Sequence, residues 1–123
     1  MNENRMTNLD VQCAELGCEL ASTSGMEEKA INAALAVLEE QGPYAMFLYL
    51  QARHSNVVSD INTKALNFLR DIFNDQLNGA NNILEAIKKL AENLDDLLFA
   101  RDLLRTALSY ARYHLKAKGG GTS

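Results

Sequence analysis

One proline and two cysteines in 123 residues are the first things to explain about this sequence, and each scarcity narrows what the chain can be. With only Cys13 and Cys18, no second cysteine pair exists to complete a zinc site. On a shared helix the two thiols sit roughly 140° apart around the axis, so they do not bridge within it. They read as two small buried or half-buried side chains in a reducing compartment. No apolar run approaches the roughly 18 residues that a membrane span needs. The opening MNENRMTNLD lacks a basic stretch followed by an apolar one, so no signal peptide is expected and the cytoplasm is the default compartment. Strand signals are almost missing: Val57-Val58 is the only β-branched pair, and no run alternates with period two.

Catalytic signatures are scarce as well. His54 and His114 stand far apart, and neither belongs to an HExxH or ExxH arrangement, so a zinc or di-iron bundle lacks its usual ligands. No GxxxxGK[ST] or GxGxxG loop is present to cradle phosphate. Asp95-Asp96 could hold a cation, but two acids in the first turn of a helix also oppose its positive end. The expectation is a protein without enzymatic activity, cofactor or metal.

What is present is helix. Apolar residues make up 47% and charged residues 23%, enough for one packed core at this length. The expected architecture is all-α: a compact bundle of about six helices on short connections, one domain over residues 1–118. The glycine-rich tail GGGTS, 119–123, is expected to be disordered. A first helix from about Asn8 to Ser22 carries Leu9, Cys13, Leu16 and Leu20 on one stripe. Ser24 and Glu27 have the capping-box spacing for a second helix starting near Met26 and ending near Gln41. Gly42 suits the position just past that end, and Pro43 the first turn of a third helix running to about His54. Its run from Ala45 to Leu50 is apolar nearly all round, which predicts burial in the middle of the bundle or against a neighbour. Ser55 to Ser59 reads as a polar break before a fourth helix, Asp60 to Leu77. Asn82 with Glu85 opens a fifth helix to about Glu92, and Asn93 opens a sixth to about Lys118.

Charge is uneven. Residues 1–50 hold eight acids and two bases, net −6, and residues 51–123 hold eight acids and ten bases, net +2. Two electrostatic sides are expected, on a chain too acidic overall to bind nucleic acid indiscriminately. On the sixth helix Arg101, Arg105, Arg112 and Lys116 share a stripe about 60° wide, beside an apolar face of Leu104, Ala107, Leu108, Ala111 and Leu115. The only acid after Asp96 is Asp102, at the outer edge of the stripe. No acid four residues away on the same stripe neutralises these cations within their own helix. The stripe is either a solvated face with cations near a helix C-terminus or a ridge for phosphate or an acidic protein partner. Tyr44, Phe47, Tyr49 and Tyr110 fit core positions, whereas Tyr113 falls on the polar side, where it could stack a base or cover a neighbouring subunit.

Three stretches carry a family resemblance. QGPYAMFLYLQAR (Gln41–Arg53), the preceding EKAINAALAVLEE and the terminal ALSYARYHLKAK (Ala107–Lys118) resemble the small all-helical subunit of the type III-B CRISPR effector, the Cmr complex. That family typically shows a glycine turn, an apolar run and then a base, and a last helix with two aromatics three apart and trailing cations. Gln41 stands where it usually has asparagine, Pro43 where it has leucine, and Tyr113 where tryptophan is common. Residues 60–96 match only in helical character. The resemblance implies a non-catalytic structural subunit that stacks in copies into the minor filament of an RNA-guided complex. Its implied partners are the other effector subunits, its own copies, and the target and guide RNA. On that reading Arg101, Arg105, Arg112 and Lys116 contact RNA phosphate, with Arg53, Lys64 and Arg70 as secondary contacts. Two other readings stay open: an adaptor that docks an acidic protein with no nucleic-acid role, and an enzyme using His54 or His114 in a bundle cavity.

Overall fold

The helical periodicity becomes six α-helices in the structure, a computed structural model that describes the backbone of residues 2–120 and the side chains of 8–118. They are α1 (Asn2–Ala21), α2 (Glu28–Gln41), α3 (Pro43–Arg53), α4 (Ser55–Phe73), α5 (Ile83–Leu90) and α6 (Leu94–Gly120). A turn of 3-10 helix, Asn74–Leu77, follows α4, and no strand occurs among the described residues. The fold is an all-α bundle. The end of the expected disordered tail, 121–123, lies outside the described residues.

Gly42 belongs to two helices at once. Its N–H donates to the Leu38 carbonyl at 3.0 Å and ends α2, while its own carbonyl accepts from the Met46 N–H at 3.1 Å and begins α3. The residue sits at φ 96°, where a Cβ would be strained, and Pro43 follows at the first helical position. The α5 cap also forms: Asn82 Oδ1 accepts from the Glu85 N–H at 3.0 Å, although Glu85 Oε1 takes the Asn81 N–H instead of that of Asn82. Asn93 Oδ1 accepts from the Asp96 N–H at 3.1 Å and caps α6.

Several local expectations change, and α1 starts at Asn2 instead of about Asn8. The Ser24–Glu27 capping box does not form: Glu27 is itself the N-cap of α2, without a side-chain bond, because the left-handed turn at Gly25 (φ 85°) moves the helix start downstream. The break foreseen over Ser55–Ser59 shrinks to His54 alone, whose carbonyl takes both the Val57 and Val58 N–H groups at 3.1 Å. Burial of Val57 draws this polar stretch into α4. At its other end α4 stops at Phe73, where Asn74 takes φ 50° and the chain tightens into the 3-10 turn. Finally, α3 is one-sided: Pro43, Met46, Phe47 and Leu50 are buried, but Leu48 is exposed and Tyr44 and Tyr49 are half-buried. It packs on α2, α4 and α5, and its buried face, Met46, Phe47 and Leu50, meets residues of α1, α4 and α6 in the core.

The central element is α6, and its most extensive neighbour is α1. The two run parallel: the Cys13 thiol reaches the Leu103 carbonyl at 3.6 Å, and Gly17, one turn on, lies against Ala107 and Ala111. The fit is tight because Gly17 has no side chain. A Cβ there would stand 2.5 Å from Tyr110 Cβ, 2.7 Å from the Ala107 carbonyl oxygen and 2.9 Å from the Ala111 nitrogen. Ala107 and Ala111 are wholly buried beside it, with Leu104 and Leu108 on the same expected face. Helix α2 crosses α6 antiparallel, and α4 returns antiparallel to α1, with Lys64 of α4 at the C-terminal end of α1.

Replacing Gly17 with alanine therefore loses about 1–3 kcal/mol through overpacking. The sign opposes the roughly 1 kcal/mol gain that the same change brings inside an isolated helix. Urea unfolding followed by helical circular dichroism measures it, and a more stable variant would mean that the two helices are not held at this distance.

Candidate functional site

The basic stripe of α6 comes together as periodicity requires, but it is not bare. Lys116 Nζ lies 2.7 Å from Glu28 Oε2, and Arg105 Nε lies 3.1 Å from Glu39 Oε1. Arg101 Nη2 donates to the Glu39 carbonyl at 3.3 Å. Asp102, at the edge of the stripe, reaches Arg105 Nη2 at 2.5 Å from one turn away, so Arg105 is in part neutralised within its own helix. Arg112 has no ion pair among the described residues; its guanidinium lies 5.8 Å from the centroid of the neighbouring Tyr113 ring, and its buried Nε lacks a hydrogen-bond partner. The Nε of Arg101 is likewise buried and unpartnered.

The carboxylates facing the stripe come from α2. Their signal was in the sequence: Glu28 and Glu39 are eleven residues apart, as are Arg105 and Lys116. Eleven residues are about three turns and about 16 Å, so each pair repeats on one helical face. Two antiparallel helices with matched charge spacing can close both pairs at once. The first and second halves of the chain, acidic and basic, thus meet along α2 and α6. Glu28 is held as a carboxylate: the hydrogen bond from Lys116 lowers its pKa below the ordinary value, and the Lys116 charge, an Asn32 hydrogen bond and the Arg112 charge add to this against desolvation.

On the far side of the stripe a shallow open groove of about 560 Å³ runs along α6, bordered by Asp102, Arg105, Thr106, Ser109, Tyr110 and Tyr113. Tyr113 is 60% exposed, the exposure a stacking residue needs. The Tyr110 hydroxyl donates to Asp10 Oδ1 at 3.1 Å, which anchors that side of the groove to α1 and raises the tyrosine pKa. Thr106 and Ser109 add hydroxyls that sequence patterning left unremarked.

The secondary cations scatter. Lys64 Nζ donates to the Glu19 carbonyl at 3.1 Å and to the buried Thr23 hydroxyl at 3.0 Å, tying α4 to the end of α1. Arg70 donates to the Ala80 carbonyl and closes the connection from α4 to α5. Arg53 is exposed in the last turn of α3. None of the three joins the α6 stripe. His54 packs near the Tyr49 ring, 5.8 Å between centroids, and His114 is half-buried on α6. Neither borders the apolar void of about 10 Å³ in the core. Among the described residues no group of three or more His, Cys, Asp or Glu could hold a metal ion. No helix among them is long and apolar enough to cross a membrane. Of the two thiols, Cys13 is buried and Cys18 exposed, which departs from the expected pair of covered cysteines. Burial, with the nearby Asp10 charge, pushes the Cys13 pKa up to about 11.

Compared with protein-family models, with curated proteins and with solved structures, the chain has no match.

Two measurements check this electrostatic picture. Titration with an aromatic disulfide under native conditions gives one fast thiol, Cys18, and one that reacts only on unfolding, Cys13; two fast thiols would contradict the packing of α1 on α6. The lowered pKa of Glu28 adds stability above the ordinary carboxylate pKa, and that stability disappears as pH falls through the depressed value. Wild type and Glu28→Gln therefore differ in urea midpoint at pH 7 and converge between about pH 5 and pH 2. A constant offset would separate Glu28 from the acid dependence.

Proposed function

We propose that this chain is a non-catalytic helical subunit of a CRISPR RNA-guided ribonucleoprotein, contacting RNA along the outer face of α6 and assembling with other effector subunits and its own copies. One observation carries the RNA contact: Arg105 and the exposed ring of Tyr113 border the same open groove, between hydroxyls of Thr106, Ser109 and Tyr110. A guanidinium offers bidentate hydrogen bonds to phosphate, and a tyrosine face stacks any base. Arg112, beside Tyr113 and in no ion pair among the described residues, extends the charge. Contacts of this kind position a strand without reading its sequence. The resemblance of Gln41–Arg53 and Ala107–Lys118 to the Cmr small subunit supplies the biological setting.

A second reading, an adaptor for a protein partner with no nucleic-acid role, is favoured by a separate observation. Leu94 and Leu98, one turn apart at the start of α6, are exposed on the line that continues into Arg101 and Arg105. An apolar end followed by cations suits a partner helix with an acidic flank.

Native purification of the full chain with its partners, with and without nuclease, separates the two readings. The RNA reading expects bound RNA. It also expects Tyr113→Ala to weaken binding of single-stranded RNA by the assembled complex by about 1–3 kcal/mol with no change in salt slope. Arg112→Gln instead lowers the slope of log K against log salt by about 0.7. Intact partners with no RNA, and affinities untouched by either substitution, would leave the adaptor.

A further inference from the structure

We infer that α2 gates the ridge: the Glu28 and Glu39 carboxylates hold places on α6 that RNA phosphates would take, so a bound strand must displace an intramolecular acid. The inference rests on the RNA-contacting reading above and adds its regulation.

Three features carry it. The two acids of α2 match the spacing of two of the four stripe cations, with Glu28 on Lys116 at 2.7 Å and Glu39 on Arg105 at 3.1 Å, where Arg105 also keeps Asp102 of its own helix. Carboxylate and phosphate compete for the same N–H donors. Next, the pairs are within reach of solvent: Arg105 and Glu39 are each 46% exposed, Lys116 58% and Glu28 36%. Pairs this open are weak, so a polyanion that releases counterions on binding can replace them. Lastly, displacement does not require α2 to move. Arg101 holds the backbone carbonyl of Glu39, leaving that side chain able to rotate away, and Glu28 keeps the Asn32 side chain as a partner. Two acids released in concert favour a continuous strand over isolated phosphate groups. The net charge of −6 over residues 1–50 sets a further repulsive threshold.

The gate is tested with the full chain and a fluorescently labelled uridine homopolymer, read by anisotropy at low and moderate salt. Glu28→Gln and Glu39→Gln each tighten binding about 1.5- to fivefold, the range open ion pairs allow. The double variant shows roughly the product, since the sites are far enough apart to act independently. Glu40→Gln, an exposed acid outside the clasp, removes the same charge and is the control. The gate is overturned if the double variant binds no tighter than wild type, or if Glu40→Gln tightens binding as much as either clasp variant. Binding that weakens in Tyr113→Ala but does not tighten in the double variant removes the gate alone. Wild-type binding indifferent to Tyr113→Ala removes the RNA reading and the gate with it.

Discussion

The close approach of Gly17 to α6 is the constraint on which the rest of the bundle depends. Helix α1 lies against Ala107, Ala111 and Tyr110 with no room for a Cβ between them. That contact makes the first and last helices parallel neighbours, although some ninety residues separate them in sequence. A parallel pair cannot be joined by a short turn, so the chain between must travel out and return. Helix α2 turns back along α6, α3 and α5 complete the core, and α4 descends along α1. Lys64 on the end of α1 and Arg70 on the Ala80 carbonyl then fasten α4 at two heights.

With α1 on one face of α6 and α2 on the next, only the outer face remains open. This geometry gives the cations their unequal roles. Lys116 and Arg105 face the acids of α2, Arg101 grips its backbone, and Arg112 leans on Tyr113. The acidic and basic halves of the chain meet at two ion pairs, Glu28 with Lys116 and Glu39 with Arg105, so the α6 stripe is less bare than its own sequence suggests. Tyr113 and the hydroxyls beside it, on the groove side of Arg105, keep their access to solvent.

Much of this was legible locally. The junction at Gly42-Pro43 depends on one left-handed residue and one proline, and both effects act within a turn. The Asn82 and Asn93 caps are three-residue interactions, equally local. The misreadings are of another kind. Ser55–Ser59 looks like a loop until Val57 finds a buried place, and Ser24–Glu27 looks like a cap until Gly25 redirects the chain. The apolar run of α3 looks buried all round until Leu48 proves to face water while Met46, Phe47 and Leu50 face the core.

The residues by themselves determined the all-α class, the apolar face of α6 and the alignment of four cations beside it, because a 3.6-residue period places side chains on a helix regardless of what packs nearby. The eleven-residue spacing of Glu28 and Glu39 was equally visible. Whether those acids would meet Arg105 and Lys116 was not, because two helices more than sixty residues apart take their register from the core between them. Only the packed bundle decided which cations face carboxylates and which face outward, since an open ion pair contributes too little to choose a register that buried apolar surface has already set.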